Sequence, residues 1–347
     1  NIVLVSERDR HVLAFGCDPE GDPGNLDPLT IRFSTQESFT VWNALATNTA
    51  GELRVGSGSE IVAAIQTKQQ VVVFTDRSVS AMQYIGPPFT FGLAEVSTNT
   101  SILGQNAAVA VGDAVYWMGN DVFYRYDGNV SIIPCPVEEF VFDNVNTSQL
   151  SKVTAGSNSE FNEVWWFYSS ANSETNDRYV VFNYSDNTWF FGSLDRTAWD
   201  AGGVSGFPIA ASPDGNIYFQ ENGISDGSTN PPSPLNSFVE SSGIDVGDGD
   251  QFMSVKRIIP DVGFRNSTGT PLVTFTLNAR TYPGSGTTQT ESGNTVRTSS
   301  TPLEKYTNQI DVRLRGRSVS LRVESNEVNT QWRLGTPRID IRPDGRR

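Results

Sequence analysis

Residues 114–133 read Ala114-Val-Tyr-Trp-Met-Gly-Asn-Asp-Val-Phe-Tyr-Arg-Tyr-Asp-Gly-Asn-Val-Ser-Ile-Ile133, and they decide the fold class. In an extended chain successive side chains point to opposite faces, so Val115 and Trp117 share one side and Tyr116 and Met118 the other. Gly119-Asn120-Asp121 reverses the chain, Val122 to Tyr126 alternate again, and Asp127-Gly128 turns it once more, because Gly, Asn and Asp tolerate the backbone angles of tight turns. The pattern predicts a three-strand meander. With large apolar side chains on both faces, one meander cannot bury itself, and similar sheets must stack beside it.

Composition points the same way. The chain has 347 residues with Gly 31, Pro 18 and 11% aromatics, a turn-rich and strand-rich balance, and no stretch carries a long helical apolar period. An all-β protein of one large or two medium domains is expected, with ample length for a core. No run of 18 or more apolar residues is present, so no membrane span is expected, and no charged-then-apolar leader opens the chain. A start at Asn1 rather than Met reads as a processed or partial product.

Hairpin-like units recur. They begin near His11, Gln70, Ala114, Glu163 and Phe207, with separations of 59, 44, 49 and 44 residues. That approaches the ~40–50-residue period of propeller blades. The units share strand, turn and aromatic placement but no fixed signature. The expectation is a β-propeller of about five or six blades, with stacked β-sandwiches as the runner-up. Long polar connections run from Cys17 to Pro28 and from Thr47 to Ser59, as mere links or as contact loops. Glu138 to Gln149 is the one plausible helix, with Phe140, Val141 and Val145 on one face, or else an irregular linker.

Near Ser225–Pro234 (SDGSTNPPSP) the pattern stops. Pro231, Pro232 and Pro234 remove ladder donors and favour an extended connector, which sets a boundary between a propeller over 1–230 and a sandwich-like domain over 231–347. Beyond it, Val255–Pro260, Leu272–Tyr282, Gln309–Arg315, Ser318–Glu324 and Trp332–Arg342 alternate apolar and polar residues, as half-buried strands do. Pro283–Pro302, rich in Gly, Ser and Thr, reads as a long exposed loop.

Charge is distributed unevenly. Net charge is −14; residues 251–347 hold 15 basic and 8 acidic side chains, or +7, which leaves 10 basic and 31 acidic, or −21, on residues 1–250. Opposite signs suggest two domains with different partners, and the acidic part has few cations with which to hold a phosphate backbone.

Candidate chemistry is sparse. His11 is the single histidine, which removes most His-dependent triads and His-rich metal sites. Cys17 and Cys135 fit no metal spacing and read as buried free thiols. Asp245-Val-Gly-Asp-Gly-Asp250 offers carboxylates to a hard cation or is a solvated turn; it lacks the twelve-position pattern with a terminal Glu. Ser212-Pro-Asp-Gly-Asn-Ile-Tyr-Phe219 and Ser185-Asp-Asn-Thr-Trp189 are similar to Asp-containing hairpin turns of sialidase-type propellers, in which the carboxylate caps backbone N–H groups. No pair of carboxylates is singled out for glycoside hydrolysis. No catalytic residue and no cofactor are expected.

Arginine is the basic feature. Arg313, Arg315 and Arg317 fall on one side of a strand, joined by Arg322, Arg333 and Arg338, then Arg342, Arg346 and Arg347. Arg suits bidentate contact with carboxylate or phosphate. The cluster is either a phosphate patch or an interface onto an acidic neighbour, including the acidic part of an adjacent copy. The second is preferred because aromatics for stacking bases are scarce nearby.

Several phrases resemble one family. Asp245–Asp261, Arg280-Thr-Tyr-Pro-Gly284, Arg313-Leu-Arg-Gly-Arg317 and Trp332–Arg346 look like tail proteins of short-tailed bacteriophages, as do Val73-Phe-Thr-Asp-Arg-Ser78 and Val115-Tyr-Trp-Met-Gly119. The resemblance is to the tail nozzle, or packaged-DNA stabilisation, proteins. It implies a propeller with associated β domains in a virion, assembled as a hexameric ring beneath portal and adaptor and touching fibre or spike proteins. Such a ring closes the channel and conducts double-stranded DNA without tight binding. The six arginines Arg313, Arg315, Arg317, Arg322, Arg333 and Arg338 are then the expected subunit interface. The other classes are a carbohydrate-binding propeller using Trp and Tyr as sugar platforms, and a glycoside hydrolase.

Overall fold

The computed structural model describes residues 2–282 and 297–345. It is all-β, built from small antiparallel sheets, and its contacts divide the chain into two units, Asn1–Glu221 and Asn222–Arg347. Arg346, Arg347 and most of the loop expected at Pro283–Pro302 lie outside the described residues. Among the described residues no helix is long and apolar enough to cross a membrane.

The first unit is a row of meanders. The first sheet contains β1 (Ile2–Ser6), β2 (His11–Cys17), β3 (Asp27–Phe33) and β4 (Gly51–Arg54), in that order. The second contains β5 (Ile61–Gln66), β6 (Val71–Thr75), β7 (Val79–Gly86) and β8 (Thr90–Ser97). The third contains β9 (Ala108–Val111), β10 (Ala114–Met118), β11 (Phe123–Tyr126) and β12 (Val130–Ile133). The fourth contains β13 (Thr154–Asn158), β14 (Glu163–Tyr168), β15 (Arg178–Asn183) and β16 (Thr188–Ser193), and the fifth only β17 (Ala198–Asp200), β18 (Ile209–Ala211) and β19 (Ile217–Phe219). The expected hairpin units therefore begin on the second strand of each sheet. The meander at 114–133 gains a fourth strand, Ala108–Val111, whose small side chains carry little sequence signal. Gly128 sits at φ +110° in the Asp127-Gly128 turn, a conformation an L side chain rarely adopts.

Stacking explains why the middle strands are apolar on both faces. Val71 and Val73 pack with Phe15 and Ile31 of the first sheet, while Val72 and Phe74 join the core shared with the third. Phe74 meets Trp117 edge-on at 5.0 Å, and Tyr116 on the other face lies 6.2 Å from Phe182 of the fourth sheet. Trp166 and Tyr168 look back toward the third sheet, whereas Trp165 and Phe167 look forward to Trp199 of the fifth. Each sheet covers the next, which makes continuous apolar runs such as Val71–Phe74 possible in antiparallel strands. Consecutive sheets meet through their first strands, β1 with β5, β5 with β9, β9 with β13 and β13 with β17.

The expected helix at Glu138–Gln149 is shorter than its pattern. A helix, α1, covers Glu138–Phe142, and a 3-10 segment follows at Thr147–Lys152. Val141 is buried beneath it, and Phe140 lies 4.4 Å from Phe191.

The second unit holds two sheets around one core. β20 (Ser237–Glu240), β27 (Ser318–Ser325), β24 (Leu272–Arg280) and β25 (Arg297–Glu304) form one in that order, with β21 (Ile244–Asp245) also on β27. β26 (Ile310–Gly316), β22 (Met253–Ile259) and β29 (Arg338–Pro343) form the other, and β23 (Val262–Gly263) pairs with β28 (Arg333–Leu334). Val273, Phe275, Leu277, Val319 and Val323 of the first meet Met253, Val255, Ile310, Val312 and Leu314 of the second. The alternation expected over Leu272–Tyr282 is a clean one, with every second side chain of β24 buried.

Two expectations change here. Ser225–Pro234 is no extended connector: Asp226 and Ser233 exchange backbone hydrogen bonds at 2.9 and 3.0 Å, and the Asn329 N–H donates to Ser225 Oγ at 2.7 Å, so the stretch folds back within the second unit. Arg297–Glu304, whose first six residues fall in the expected loop, is an edge strand on β24 with Leu303, just past that loop, as its buried residue.

Candidate functional site

The basic feature of the sequence resolves into the outward face of the β26-β22-β29 sheet. Alternation buries Ile310, Val312 and Leu314 of β26 and leaves Asp311, Arg313 and Arg315 outward. On β29 it leaves Arg338, Asp340 and Arg342 outward. Between them, a register shift on β22 between Val255 and Arg257 exposes two consecutive cations, Lys256 and Arg257. A bulge is what allows neighbours in sequence to share a face. Ser254 lies between Arg315 and Arg342 in register, and Arg257 between Asp311 and Asp340.

Not all of these charges are available to a partner. Arg257 Nε and Arg342 Nε both lie 3.5 Å from Asp340 carboxylate oxygens. Arg315 Nε sits 2.5 Å from Asp344 Oδ2, and its guanidinium lies over the Phe252 ring at 4.2 Å. Arg317 shares that ring at 5.0 Å, from the turn after β26 rather than from the strand. Pairs this exposed contribute about 0–1 kcal/mol each and mainly hold side chains in place. Arg313 and Arg338 are exposed, and among the described residues no ion pair or hydrogen bond of their side chains is seen.

The expected cluster of six therefore divides. Arg313, Arg315 and Arg338 lie on one sheet face. Arg322 belongs to the other sheet, on β27, where it bonds Glu324 at 2.8 Å and Glu240 at 3.1 Å and covers Phe238 at 4.0 Å. Arg333 is on β28, exposed and apart from both. Alternation assigns a residue to a face of its strand but not its strand to a sheet. Aromatics are also closer than expected, since Phe252 and Phe238 lie beneath guanidinium groups, but both are used there as supports. Reasoning from the sequence missed Lys256, Arg257 and the organising carboxylates Asp340 and Asp344; the Lys-Arg pair inside an alternating strand was the available signal.

Charge separates the units less sharply than the sequence split implies. The first unit holds 10 basic and 26 acidic residues and the second 15 and 13, because Asp226, Glu240, Asp245, Asp248 and Asp250 belong to the second.

The remaining candidates have structural roles. Asp214 accepts the Asn216 N–H at 2.9 Å and the Tyr218 hydroxyl at 2.6 Å, which holds its carboxyl well below the usual range. The second such turn works through a different residue: Asn183 Oδ1, rather than Asp186, accepts the N–H groups of Ser185 and Asp186, both at 3.0 Å. His11 is buried, 2.7 Å from the Asp9 carbonyl and 3.2 Å from Thr49 Oγ1. Cys17 and Cys135 are free and half-buried, and burial pushes the Cys135 thiol up to about 11. Asp245–Asp250 starts at the last residue of β21 and includes positive-φ Gly247 and Gly249, and among the described residues no group of three or more His, Cys, Asp or Glu side chains could hold a metal ion. An open cavity of about 580 Å³ is lined by Glu7, Arg8, Gln66, Thr67, Lys68 and Gly112, mixing both signs of charge. Glu163 is a carboxyl the sequence reading did not single out: burial pushes it up to about 7, while Trp165 Nε1 donates to it at 3.0 Å.

No protein-family model and no curated protein matches the chain. Among solved structures it is similar to the extracellular domain of a hybrid two-component system from B. thetaiotaomicron, at 11% identity over 64% of this chain and 31% of that chain, with a TM-score of 0.36. It is also similar to the hemopexin-fold protein CP4 from cow pea, at 13% identity over 46% and 91% of the two chains and a TM-score of 0.26. The N-terminal domain of Nup159 gives 10% identity over 63% and 73%, with a TM-score of 0.30. Likeness at this level carries no argument about function.

Proposed function

We propose that this chain is a structural subunit of a ring in a bacteriophage tail, the nozzle that closes the portal channel and conducts DNA during ejection. The observation that carries the reading is the cationic sheet face of the second unit, with Arg313, Lys256 and Arg338 turned outward, in a chain whose first unit has 26 acidic against 10 basic residues. A heterologous interface between identical subunits needs two different complementary faces on each copy, and a cationic face on one unit with an acidic surplus on the other supplies them. Acidic walls also suit a DNA conduit, because carboxylates repel phosphates and keep the duplex from sticking. Six copies, the tail adaptor and fibre or spike proteins are the partners in this reading, the virion is its location, and no catalytic role is assigned.

In the same reading the first unit is a β-propeller with five sheets as blades, followed by a β-sandwich. Contact of each first strand with the next supports the former, since first strands line the axis of a propeller. A common core between two sheets supports the latter. For the carbohydrate-binding alternative, all seven tryptophans are buried or half-buried, and Tyr306, 87% exposed, is the most open aromatic of the kind it needs among the described residues.

The test is assembly of the triple variant Lys256→Glu, Arg313→Glu and Arg338→Glu, three exposed positions whose reversal leaves the core intact. Sedimentation velocity and electron microscopy should show the ring of the unaltered chain replaced by smaller species. A ring of unchanged size and stability would sink the proposal.

A further inference from the structure

The chain passes from the first unit to the second between Glu221 and Asn222, and Asn222-Gly223 is the one Asn-Gly pair among its 347 residues. The backbone there is open. The Gln220 N–H donates to the Pro208 carbonyl at 2.7 Å and the Asp226 N–H to the Ser233 carbonyl at 2.9 Å, but no N–H from Glu221 to Ser225 finds an acceptor among the described residues. Asn222 and Gly223 are both exposed, and among the described residues the Asn222 side chain has no hydrogen bond. A Cβ built on Gly223 would meet nothing within 4 Å.

These are the conditions for a reaction of the chain with itself. The amide nitrogen that follows an asparagine can close on its side-chain Cγ to give a succinimide ring. Glycine, without a Cβ, leaves that nitrogen unshielded and lets the backbone turn to meet the side chain. An N–H held in a strand or a turn keeps its proton and its distance from the carbonyl carbon, and this one is not held. Other asparagines are placed differently. Asn158, which precedes Ser159, ends β13 and is 1% exposed, and Asn183 is occupied in capping the N–H groups of Ser185 and Asp186.

We infer that Asn222 is a site of spontaneous deamidation. A base from solvent takes the Gly223 N–H proton, the nitrogen bonds to Asn222 Cγ, and the Cγ–Nδ2 bond breaks with loss of ammonia. Water then opens the succinimide. Attack at the side-chain carbonyl restores the ordinary backbone and leaves aspartate. Attack at the main-chain carbonyl leaves isoaspartate, whose backbone runs through Cβ and Cγ. Either product adds a negative charge beside Glu221, and isoaspartate also inserts a methylene into the backbone where the chain passes between its two units. The reaction needs only water, makes no use of the cationic face, and holds whether or not the chain belongs to a phage tail.

The experiment incubates the full chain at pH 8 and samples it over days. Isoaspartate is measured by methyl transfer from labelled S-adenosylmethionine with an isoaspartyl methyltransferase, and the labelled peptide is identified by mass spectrometry. Label should accumulate with time, map to the peptide containing residue 222, and be lost in Asn222→Gln, whose longer side chain closes its ring far more slowly. A parallel sample in guanidinium chloride tests the structural part. Asn222 should deamidate there at about the rate seen in the folded chain, whereas Asn158 should react only after unfolding. No label at residue 222 in the folded chain would overturn the inference, as would equal label in Asn222→Gln. So would a rate at Asn222 about tenfold or more lower in the folded chain than in denaturant, which is the protection of a segment held closed.

Discussion

The indoles of Trp165 and Trp199 stack with ring centroids 5.5 Å apart and planes 15° from parallel, and they join the fourth sheet of the first unit to the fifth. Trp199 is fixed further by its Nε1, which donates to the Ser157 carbonyl at 3.0 Å, and by Gly156, where an added Cβ would sit 2.3 Å from the indole Cδ1. The three-residue strands of the fifth sheet are short, so this indole carries much of their attachment.

Trp199→Ala is therefore expected to destabilise the first unit by about 2–4 kcal/mol, below the full cost for a buried Trp because the ring is half-exposed. Gly156→Ala should cost about 1–3 kcal/mol by pushing the indole off its seat. Urea denaturation followed by fluorescence checks both, and a Gly156→Ala midpoint equal to that of the unaltered chain would refute the close-packing argument.

Glu163 gives a pH signature. Its carboxyl is pushed up to about 7 by burial, above an ordinary value of 4.5, with the Glu221 carboxylate adding to the shift. Between those values the folded chain holds a proton that the unfolded chain has lost, so this contribution to stability is full below the lower value and is lost as pH rises through the upper one. Glu163→Gln, which keeps an acceptor for Trp165 Nε1, should lose less thermal stability than the unaltered chain between pH 5 and pH 8. Parallel melting curves across that range would refute the assignment.

The thiol of Cys135, pushed up to about 11 by burial, and that of Cys17, raised by the same cause, have little thiolate at neutral pH. Reaction with Ellman's reagent at pH 8 should be slow in the native chain and fast in denaturant, with two thiols titrated in the end. Rapid native reaction of both would contradict it.

Tyr218 donates its hydroxyl to Asp214, which favours the neutral phenol and raises its pKa. In Asp214→Asn that phenol should ionise at lower pH than in the unaltered chain. A difference titration at 295 nm between the two proteins isolates it from the other tyrosines, and superimposable curves would refute the hydrogen bond.

The legible parts of the fold were strands with strong side chains. Val71–Phe74, Ala114–Met118 and Glu163–Tyr168 were visible because large residues fill both faces. The first strands were not: Thr154-Ala-Gly-Ser-Asn158 is small and polar, and Gly156 is small because Trp199 needs the space. Arg297–Glu304 read as loop because an edge strand with little burial has no apolar period to show. In the candidate site, alternation placed Arg313 and Arg315 on one face correctly. It gave no warning that Arg322, a few residues on, would lie in another sheet, or that Asp344 would claim Arg315.

That separation comes from Gly316 and Arg317, where the chain leaves β26 in one sheet and enters β27 in the other. A Cβ on Gly316 would lie 2.8 Å from Ala279 Cβ and 3.0 Å from the Arg280 carbonyl, so the crossing is too tight for a larger residue. Its consequence is kinetic. The meanders of the first unit pair strands that are neighbours in sequence, and each can form from local contacts. In the second unit β26 and β27 are successive but unpaired, and each must find distant partners, β22 for one and β20 and β24 for the other. High contact order of this kind slows folding, and it couples the two layers so that neither gains its ladder before the other is nearly in place. Amide protons of β22 and β24 should then exchange through one shared opening event, as a single cooperative block.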